Sequence, residues 1–423
     1  MKRMGILLAM CLLLTGCGSQ VASAEQSAPM PSVSPATWGI QAEGDSASGS
    51  EQESAAVSTA TQEPTPTTTP APTATPTPLP VSLAESVAAG PRVVADGVTL
   101  ESLCIGESAY VKLADLTSVY PWLTMTQEAG EAAITAYDGT AIPMRFTETD
   151  GSAILPESGD TGVHFVGQQE EYWLPLRYIA QQTGLYLLWD DSESTAYVTK
   201  MPDTDLIPQG RTVPVWMYHE VGDDIWGIES LFVSPKNMRE QLQYLYDNGY
   251  QTIFFSDLTH LEDYDKPVIL TFDDGYIGTY TELFPLLKEF NMKATVFVIT
   301  GSLGTEHDIN NEQVKEMSDS GLVSIQSHTV NHPALAELGA EEQEEELRQS
   351  QLDIARITGK IPYALSYPTG SHNDTTIELG KKYYAFGIIA SGGKWVTDGQ
   401  FYTIPRLYAA RTTTMDTYSS AMK

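Results

Sequence analysis

Basic residues are scarce in this chain of 423 residues, which has 23 lysines and arginines against 55 aspartates and glutamates. The formal net charge is -32 at pH 7. A surface with this charge repels polyanions, so the composition excludes nucleic acid as a partner and predicts little attraction to anionic lipid. A neutral substrate is compatible with it.

Cysteines are also few, namely Cys11, Cys17 and Cys104, and they cannot build a disulfide framework or a thiolate zinc site. Long apolar runs are equally scarce. Residues 4–14 form one after a positively charged start, with the length of a secretory signal and too short to span a bilayer comfortably.

The apolar run ends in Leu14-Thr15-Gly16-Cys17, which resembles the lipobox of bacterial lipoproteins. This resemblance implies that residues 1–16 are a signal peptide removed before Cys17. Cys17 would then carry lipid and hold the protein at the cell membrane on its extracytoplasmic side, because several acyl chains anchor a protein firmly. The alternative is a soluble secreted protein with a chance cysteine near its cleavage site.

Residues 17–81 are rich in Pro, Thr and Ser and contain Pro-Thr alternation up to Pro80. Such a composition cannot bury a core, so we predict a disordered linker that follows the lipid anchor.

Residues 82–200 are globular in composition and contain two similar pieces, each predicted to be a strand, a short helix and a β-hairpin. The pieces begin near residues 110 and 172. They resemble the stalk domain known as the copper amine oxidase N-terminal-like domain. No copper is expected, because His164 is the only histidine before His219. A structural spacer is the simplest role for this small α+β repeat domain, and weak glycan binding is the alternative.

Residues 211–423 follow a short Pro-containing junction and alternate strand and helix patterns over about 210 residues, which predicts a parallel α/β barrel. In such barrels the chemistry lies at the carboxyl ends of the strands. Three predicted strands end in ionisable residues. These are His219, the pair Asp273-Asp274, and His328 with His332 four positions later.

One carboxylate and two histidines form a three-ligand site with an open position, as a catalytic zinc-like ion requires. Histidines at i and i+4 are expected to meet on one face of a helical turn. Each feature has a simpler explanation: Asp273-Asp274-Gly275 as a turn that caps a helix, and the histidines as surface residues.

Three motifs in this order resemble those of the NodB-type polysaccharide deacetylases, carbohydrate esterase family 4. They are Thr271-Phe272-Asp273-Asp274-Gly275, His328-Thr329-Val330-Asn331-His332 and Leu365-Ser366-Tyr367-Pro368-Thr369-Gly370. The similarity extends over about residues 211–412. Met217-Tyr218-His219 and Ile404-Pro405-Arg406-Leu407 resemble the subgroup that acts on poly-N-acetylglucosamine. The resemblance implies a distorted (β/α) barrel.

The resemblance also implies roles for single residues. Asp274, His328 and His332 would hold a divalent metal, with zinc favoured and cobalt or nickel as alternatives. Asp273 would be the general base. A backbone N–H near Thr369 would help to stabilise the oxyanion.

An amide nitrogen must be protonated before it leaves, and His219 is the candidate general acid. A structural histidine is the alternative for His219.

Two positions depart from the family pattern. Ser366 stands where many members have arginine, and Thr369 stands where an aromatic residue is usual. We hypothesise that Arg406 supplies the missing cation to Asp273; an ion pair with a surface carboxylate is the alternative. Trp395 is a candidate for lining an acetyl or sugar pocket, although a lone tryptophan is more often part of a core.

The sequence therefore predicts a lipid-anchored, metal-dependent deacetylase that acts on N-acetylglucosamine units of an N-acetylated polysaccharide. Peptidoglycan, chitin-like oligomers and poly-N-acetylglucosamine stay open as substrates. An O-acetyl esterase on the same fold and a glycan-binding protein with an inactive domain are the alternatives.

Overall fold

The computed structural model describes residues 80–82, 87–105, 108–128, 131–146, 152–154, 163–168 and 171–423. The expected signal peptide (1–16), the expected lipid site Cys17 and all but the last two residues of the expected linker lie outside the described residues. In the part of the chain that is described, no helix is both long and apolar enough to cross a bilayer.

The N-terminal domain consists of fourteen described strands and two short helices. The strands are β1 Pro80–Ser82, β2 Val87–Ala89, β3 Arg92–Ala95, β4 Val98–Leu100, β5 Ser102–Ile105, β6 Ser108–Lys112, β7 Thr124–Glu128, β8 Glu131–Thr135, β9 Ala141–Phe146, β10 Ser152–Ile154, β11 Val163–Gln168, β12 Glu171–Pro175, β13 Tyr186–Asp190 and β14 Thr195–Thr199. The helices are α1 Leu113–Val119 and α2 Leu176–Thr183.

Both predicted strand–helix–hairpin units are present. The first is β6, α1 and the hairpin β7–β8, and the second is β12, α2 and the hairpin β13–β14. β6 and β12 pair antiparallel in one sheet, so the two units share a core in which Leu116 and Ile179 are fully buried.

The C-terminal domain alternates strands and helices. Its strands are β15 Thr212–Val213, β16 Val215–Tyr218, β17 Glu220–Val221, β18 Phe232–Val233, β19 Gln251–Thr252, β20 Pro267–Phe272, β21 Ala294–Val298, β22 Val323–Ser327, β23 Ala364–Ser366, β24 Phe386–Gly392, β25 Trp395–Val396 and β26 Ile404–Tyr408. Its α-helices are α3 Pro235–Asp247, α4 Phe284–Phe290, α5 Asn311–Asp319, α6 Ala340–Thr358, α7 Asp374–Tyr383 and α8 Met415–Met422.

Seven of these strands close into a parallel barrel. The order is β16, β20, β21, β22, β23, β24 and β26, and β26 pairs back onto β16. The prediction of a distorted (β/α) barrel is thereby confirmed. Closure brings the carboxyl ends of all seven strands to one rim.

The barrel strands are buried on both faces, and their side chains alternate between two cores. On β20, Leu270 and Phe272 pack outward against the helices, whereas Ile269 packs into the barrel interior. This alternation has a period of two residues, so Thr271 and then Asp273 continue the inward-facing series past the end of the strand.

The helix boundaries follow local chemistry. Ser234 caps α3 by accepting a hydrogen bond from the Asn237 N–H at 3.1 Å, with Pro235 in the first turn. The helix after β20 begins as a π-helical turn at Thr279–Leu283 and becomes α4 only at Phe284. Strand β19 is only two residues long, and Phe255–Asp263 forms a 3-10 helix soon after it.

Helix α6 joins the two domains. Its residues Leu352 and Ala355 share a small buried core with Leu188 and Tyr197 of the N-terminal domain. Beside this core, the Arg356 Nε and Nη2 atoms donate to the two carboxylate oxygens of Asp190 at 2.6 and 2.8 Å. The N-terminal domain is therefore docked on a helix of the barrel by both apolar and charged contacts.

Candidate active site

Five residues of interest lie at alternating, inward-facing positions at the carboxyl ends of barrel strands. They are His219, Asp273, His328, Ser366 and Arg406. They come from β16, β20, β22, β23 and β26, and the alternation of side chains directs each of them to the mouth of the barrel. All except His219 are buried, at most 3% exposed.

Asp274, His328 and His332 form a cluster whose ligand atoms all lie within 4.8 Å of one another. The Asp274 Oδ1 atom is 3.4 Å from His328 Nε2 and 3.7 Å from His332 Nε2. Bonds of about 2.0–2.2 Å to a tetrahedral ion place two ligand atoms about 3.4 Å apart. The cluster therefore fits a small divalent ion such as zinc.

The His328 ring is oriented by a contact outside the cluster. Its Nδ1 atom lies 2.8 Å from the Ser366 carbonyl oxygen. A carbonyl can only accept, so Nδ1 carries the proton and the lone pair of Nε2 faces Asp274 and His332. This is the tautomer that a metal ligand requires.

The two histidines do not lie on a helical turn, and that expectation was wrong. Thr329 and His332 have φ angles of 67° and 56°, in the left-handed region, so the chain from His328 to His332 folds as an irregular loop. The His332 N–H donates to Thr329 Oγ1 at 3.0 Å. The rings nevertheless approach to 4.8 Å between centroids, because the loop reverses direction between them.

Glu346 of α6 holds this loop. Its carboxylate accepts hydrogen bonds from the Val330 N–H at 2.8 Å, the Asn331 N–H at 3.0 Å and the Asn331 Nδ2 atom at 2.7 Å. The three donors lie between the two candidate histidine ligands. An irregular loop with satisfied backbone donors can keep one conformation, so Glu346 helps to fix His332 relative to His328.

Asp274 reaches the cluster from an unusual backbone conformation. Its φ angle is 72°, and Gly275 follows with a φ of 82°. A side chain at Gly275 would also approach Val298 Cγ1 to 3.1 Å. Two consecutive left-handed residues change the chain direction directly after Asp273, so Asp274 faces the histidines while Asp273 keeps its inward-facing position.

Arg406 and Asp273 form a buried, bidentate ion pair. The Arg406 Nη1 and Nη2 atoms donate to Asp273 Oδ1 and Oδ2, each at 2.7 Å. The other N–H groups of Arg406 donate to Thr271 Oγ1, Ser366 Oγ and the Ile389 carbonyl. All five N–H donors of this guanidinium are therefore used, and its orientation is fixed.

The pKa of the Asp273 carboxyl reflects two opposing effects. Burial raises it, but Arg406, supported by His328, outweighs burial and holds the pKa well below its usual range. Asp273 is consequently ionised at neutral pH despite being 3% exposed. A carboxylate with so low a pKa accepts a proton only from a strongly acidified donor.

His219 lies beside this pair at the end of β16. Its Nδ1 atom is buried and has no hydrogen-bond partner among the described residues. Burial lowers the pKa of His219, although Asp273 and Asp274 act in the opposite direction. Its ring meets the Tyr408 ring edge to face, with centroids 6.2 Å apart.

Comparison with known proteins finds relatives for the C-terminal half of the chain. The sequence profile of the family described as polysaccharide deacetylase matches residues 260–385. The polysaccharide deacetylase-like protein YxkH of Bacillus subtilis (strain 168) is 33% identical over 201 residues, which cover 46% of this chain and 70% of that protein.

This chain belongs to the polysaccharide deacetylase family.

Other polysaccharide deacetylases match the same part of the chain. The poly-β-1,6-N-acetyl-D-glucosamine N-deacetylase of Escherichia coli (strain K12) is 28% identical over 243 residues, 46% of this chain but only 36% of that enzyme. BC0361, a polysaccharide deacetylase from Bacillus cereus with a crystal structure, is 27% identical, with a TM-score of 0.49 over 69% of this chain and 76% of that one. As a member of this family, the chain is a hydrolase that acts on carbon–nitrogen bonds other than peptide bonds.

Two residues singled out for substrate contacts lie in different surroundings within this deacetylase. Thr369 is exposed in the turn Pro368–Gly370 and has a φ angle of 57°. Trp395 is 2% exposed and packs with Phe401 and Ile404 in the core of the barrel. The structure therefore does not place Trp395 on the wall of a sugar groove, because its indole fills apolar space beneath the site.

Sequence reasoning missed two residues that shape the site of this deacetylase. Ser366 was noted only as a missing arginine, yet its hydroxyl contacts both Asp273, at 3.2 Å, and Arg406. Glu346 lies in an acidic run, residues 341–346, and acidic side chains near the start of a helix usually form a solvated face. Glu346 instead binds the loop that carries His332. No local signal separates it from the neighbouring glutamates, because its partners lie 15 and 16 residues earlier in a loop.

Proposed function

We propose that this protein is a metal-dependent N-deacetylase that hydrolyses acetamido groups on N-acetylglucosamine units of a cell-surface or wall polysaccharide. The observation that carries the proposal is the division of the adjacent pair Asp273 and Asp274. One carboxylate is locked to Arg406 inside the barrel, and the other joins His328 and His332. The names of related enzymes, which include poly-β-1,6-N-acetyl-D-glucosamine N-deacetylases, support this substrate class.

Asp274, His328 and His332 would hold the metal ion, for which zinc is favoured over cobalt or nickel. When bound, such an ion supplies Lewis-acid polarisation of the acetyl carbonyl and lowers the pKa of water. Asp273 has a low pKa and is a weak base, so it would accept a proton only from water that is acidified in this way.

Asp273 would take the proton from the attacking water. Its two oxygens face Arg406, and Ser366 donates to Oδ2 as well, so the carboxylate cannot rotate away during the reaction. A fixed orientation of the base raises the reaction rate by a large factor, because a displaced base must first return to the reacting geometry. We assign Arg406 and Ser366 to this positioning role.

His219 would give a proton to the departing nitrogen. Breaking the carbon–nitrogen bond then yields acetate and a free amine. Burial favours the neutral imidazole, so a protonated His219 is a stronger acid than an ordinary histidine. The backbone N–H near the exposed Thr369 is the proposed second contact for the oxyanion.

Outside the barrel, we propose that Cys17 is the lipid-anchored residue after removal of residues 1–16, and that residues 17–81 tether the protein on the outer side of the membrane. The domain at residues 82–200 would serve as a stalk of the copper amine oxidase N-terminal-like type, and residues 211–423 as the deacetylase domain.

The test is acetate release from a panel of defined glycans, comprising chitin oligomers, β-1,6-linked N-acetylglucosamine oligomers, peptidoglycan fragments and an O-acetylated polysaccharide. We expect release from N-acetylated glycans, loss of activity with a chelator, and recovery when zinc, cobalt or nickel is restored. Asp273→Asn should be inactive but retain metal. Activity confined to the O-acetylated polysaccharide would identify an esterase instead, and an active Asp273→Asn variant would contradict the assignment of the base.

A further inference from the structure

An exposed apolar patch borders the candidate active site. Among the described residues, eight large hydrophobic side chains are exposed, and four of them belong to one loop or to a residue that contacts it. Three belong to the loop between β17 and β18, namely Ile225, Trp226 and Ile228, with Ile228 68% exposed. The fourth is Tyr408, whose hydroxyl donates to the Ser230 carbonyl of that loop at 2.8 Å. We call Ile225, Trp226, Ile228 and Tyr408 the rim patch.

Trp226 is held by three aromatic contacts. Its indole stacks on the His307 ring with centroids 4.0 Å apart and planes 3° from parallel. Phe232 and Tyr276 meet it edge to face at 5.3 and 4.8 Å. These contacts fix the ring while 38% of the residue stays exposed. A ring held in this way loses little freedom when a ligand covers it, so it is suited to binding.

The rim patch touches the candidate site on two sides. On one side, the Tyr408 ring contacts His219, the candidate acid. On the other, Tyr276 lies two residues after Asp274, interacts with its carboxylate, and packs against Trp226. One side chain therefore separates the exposed indole from a candidate metal ligand, so a polymer that reaches the site would extend over this surface.

We propose that Trp226 is the stacking platform of a subsite for a sugar unit next to the one whose acetamido group reacts. The proposal rests on the proposed function, since only a polymeric substrate has such a neighbouring unit. The C–H groups of a pyranose ring form an apolar face that packs on aromatic rings, and an indole N–H can donate to a hydroxyl. Stacking of this kind needs no basic residue, which agrees with the net charge of -32.

The experiment compares Trp226→Ala and Trp226→Phe with wild type and with a control, Tyr246→Ala. Tyr246 is an exposed aromatic residue (62%) on α3 whose ring contacts Phe290 instead of the site. Acetate release is measured on β-1,4- and β-1,6-linked N-acetylglucosamine pentamers and on the monomer. Binding of the pentamers to the metal-loaded full-length proteins is measured by calorimetry, independently of turnover.

Trp226→Ala should raise KM and the dissociation constant for a pentamer about 3- to 10-fold, the range expected for losing one aromatic stacking contact. The value of kcat and the activity on the monomer should not change. Trp226→Phe should recover part of the affinity, and Tyr246→Ala should behave as wild type.

Three results would overturn the proposal. They are an equal loss on monomer and pentamer, unchanged pentamer binding in Trp226→Ala, and a change from dimer to monomer in that variant, which would make the rim patch a contact between two copies of the chain. Failure of the proposed function has a different signature, because wild type would then release no acetate. The binding measurement still tests the role of Trp226 in that case. If the wild-type protein did not bind either pentamer, the proposed role of Trp226 would also be refuted.

Discussion

The guanidinium of Arg406 and the carboxylate of Asp273 face each other through two hydrogen bonds of 2.7 Å, although 133 residues separate them in the chain. Arg406 is 1% exposed and Asp273 is 3% exposed. A buried pair of this kind gains stability only when its remaining hydrogen-bonding atoms are satisfied, and here Thr271, Ser366 and the Ile389 carbonyl satisfy them.

Arg406→Ala should lower kcat for acetate release by about a hundredfold or more, because the base is no longer held in the reacting geometry. Metal content should stay normal, since Arg406 does not contact Asp274, His328 or His332 in the described structure. The uncompensated carboxylate should also cost about 3–5 kcal/mol of folding free energy. Steady-state kinetics, elemental analysis and denaturant unfolding check the three statements.

Two further variants serve as comparisons for Arg406→Ala. Arg406→Lys keeps the charge but cannot form the bidentate contact, so it should be more stable than the alanine variant and still slow. Arg239→Ala removes an exposed arginine that pairs with Glu289 on the surface, and should leave turnover unchanged. Near-normal kcat in either Arg406 variant would refute the positioning role.

Glu346→Gln should weaken zinc binding about 10- to 100-fold, the usual effect of removing a residue that orients a metal ligand. An amide keeps one acceptor oxygen, but it replaces the other with a donor that faces the Asn331 Nδ2 donor. Competition with a fluorescent chelator gives the dissociation constant. Glu345→Gln, an exposed neighbour on the same helix, is the matched control, and identical zinc affinity in the two variants would show that the loop does not depend on Glu346.

Asp190→Asn should destabilise the full-length chain by about 1–2 kcal/mol at pH 7, because it removes a charge-assisted contact to Arg356 between the domains. The Arg356 contact holds the pKa of Asp190 well below its usual range. Its stabilisation is therefore present above about pH 4, the ordinary value in an unfolded chain, and is lost as the pH falls through the lower folded pKa.

Thermal unfolding as a function of pH measures this contribution. The difference between wild type and Asp190→Asn should shrink at acid pH, where both carry a neutral side chain. Glu345→Gln, an exposed change on the helix that carries Arg356, should have no effect. A pH-independent difference would mean that the ion pair is not the source of the stability.

Glu220 should make the stability of the protein fall with rising pH. This side chain is 3% exposed, and burial raises its pKa to about 8, although the backbone N–H groups of Gly278 and Val221 favour the carboxylate. An unfolded glutamate has a pKa of about 4.3. Between these values the folded state holds one more proton than the unfolded state, so the free energy of unfolding decreases as the pH rises through this window.

Glu220→Gln removes the titrating group while nearly preserving its shape. Its stability should be less dependent on pH than that of wild type between about pH 5 and pH 8. Denaturant unfolding at several pH values is the measurement, with Glu345→Gln as an exposed control. Parallel pH profiles for wild type and Glu220→Gln would show that Glu220 is already ionised in the folded protein.

Much of the barrel was predictable from the sequence, since strands such as β20 are short apolar runs and helices such as α3 carry their own capping residues. The boundaries of strands and helices were not predictable where two local sequence patterns compete. The residues after Thr252 have strand-like side chains but fold as a 3-10 helix. Likewise, the spacing of His328 and His332 suggested a helical turn, but the left-handed conformations of Thr329 and His332 produce a loop.

By itself, the sequence singled out Asp273, Asp274, His328 and His332 as candidate site residues, because they lie in short motifs that follow the ends of predicted strands. Only the tertiary structure decided which contacts hold these side chains in position. The partner of Asp273 lies 133 residues away, and the residue that fixes the histidine loop is one glutamate in an acidic run. These contacts arise when the barrel closes and a helix packs behind it. Local sequence patterns do not predict such contacts, because the contacts depend on which distant strand ends meet at the rim of the barrel.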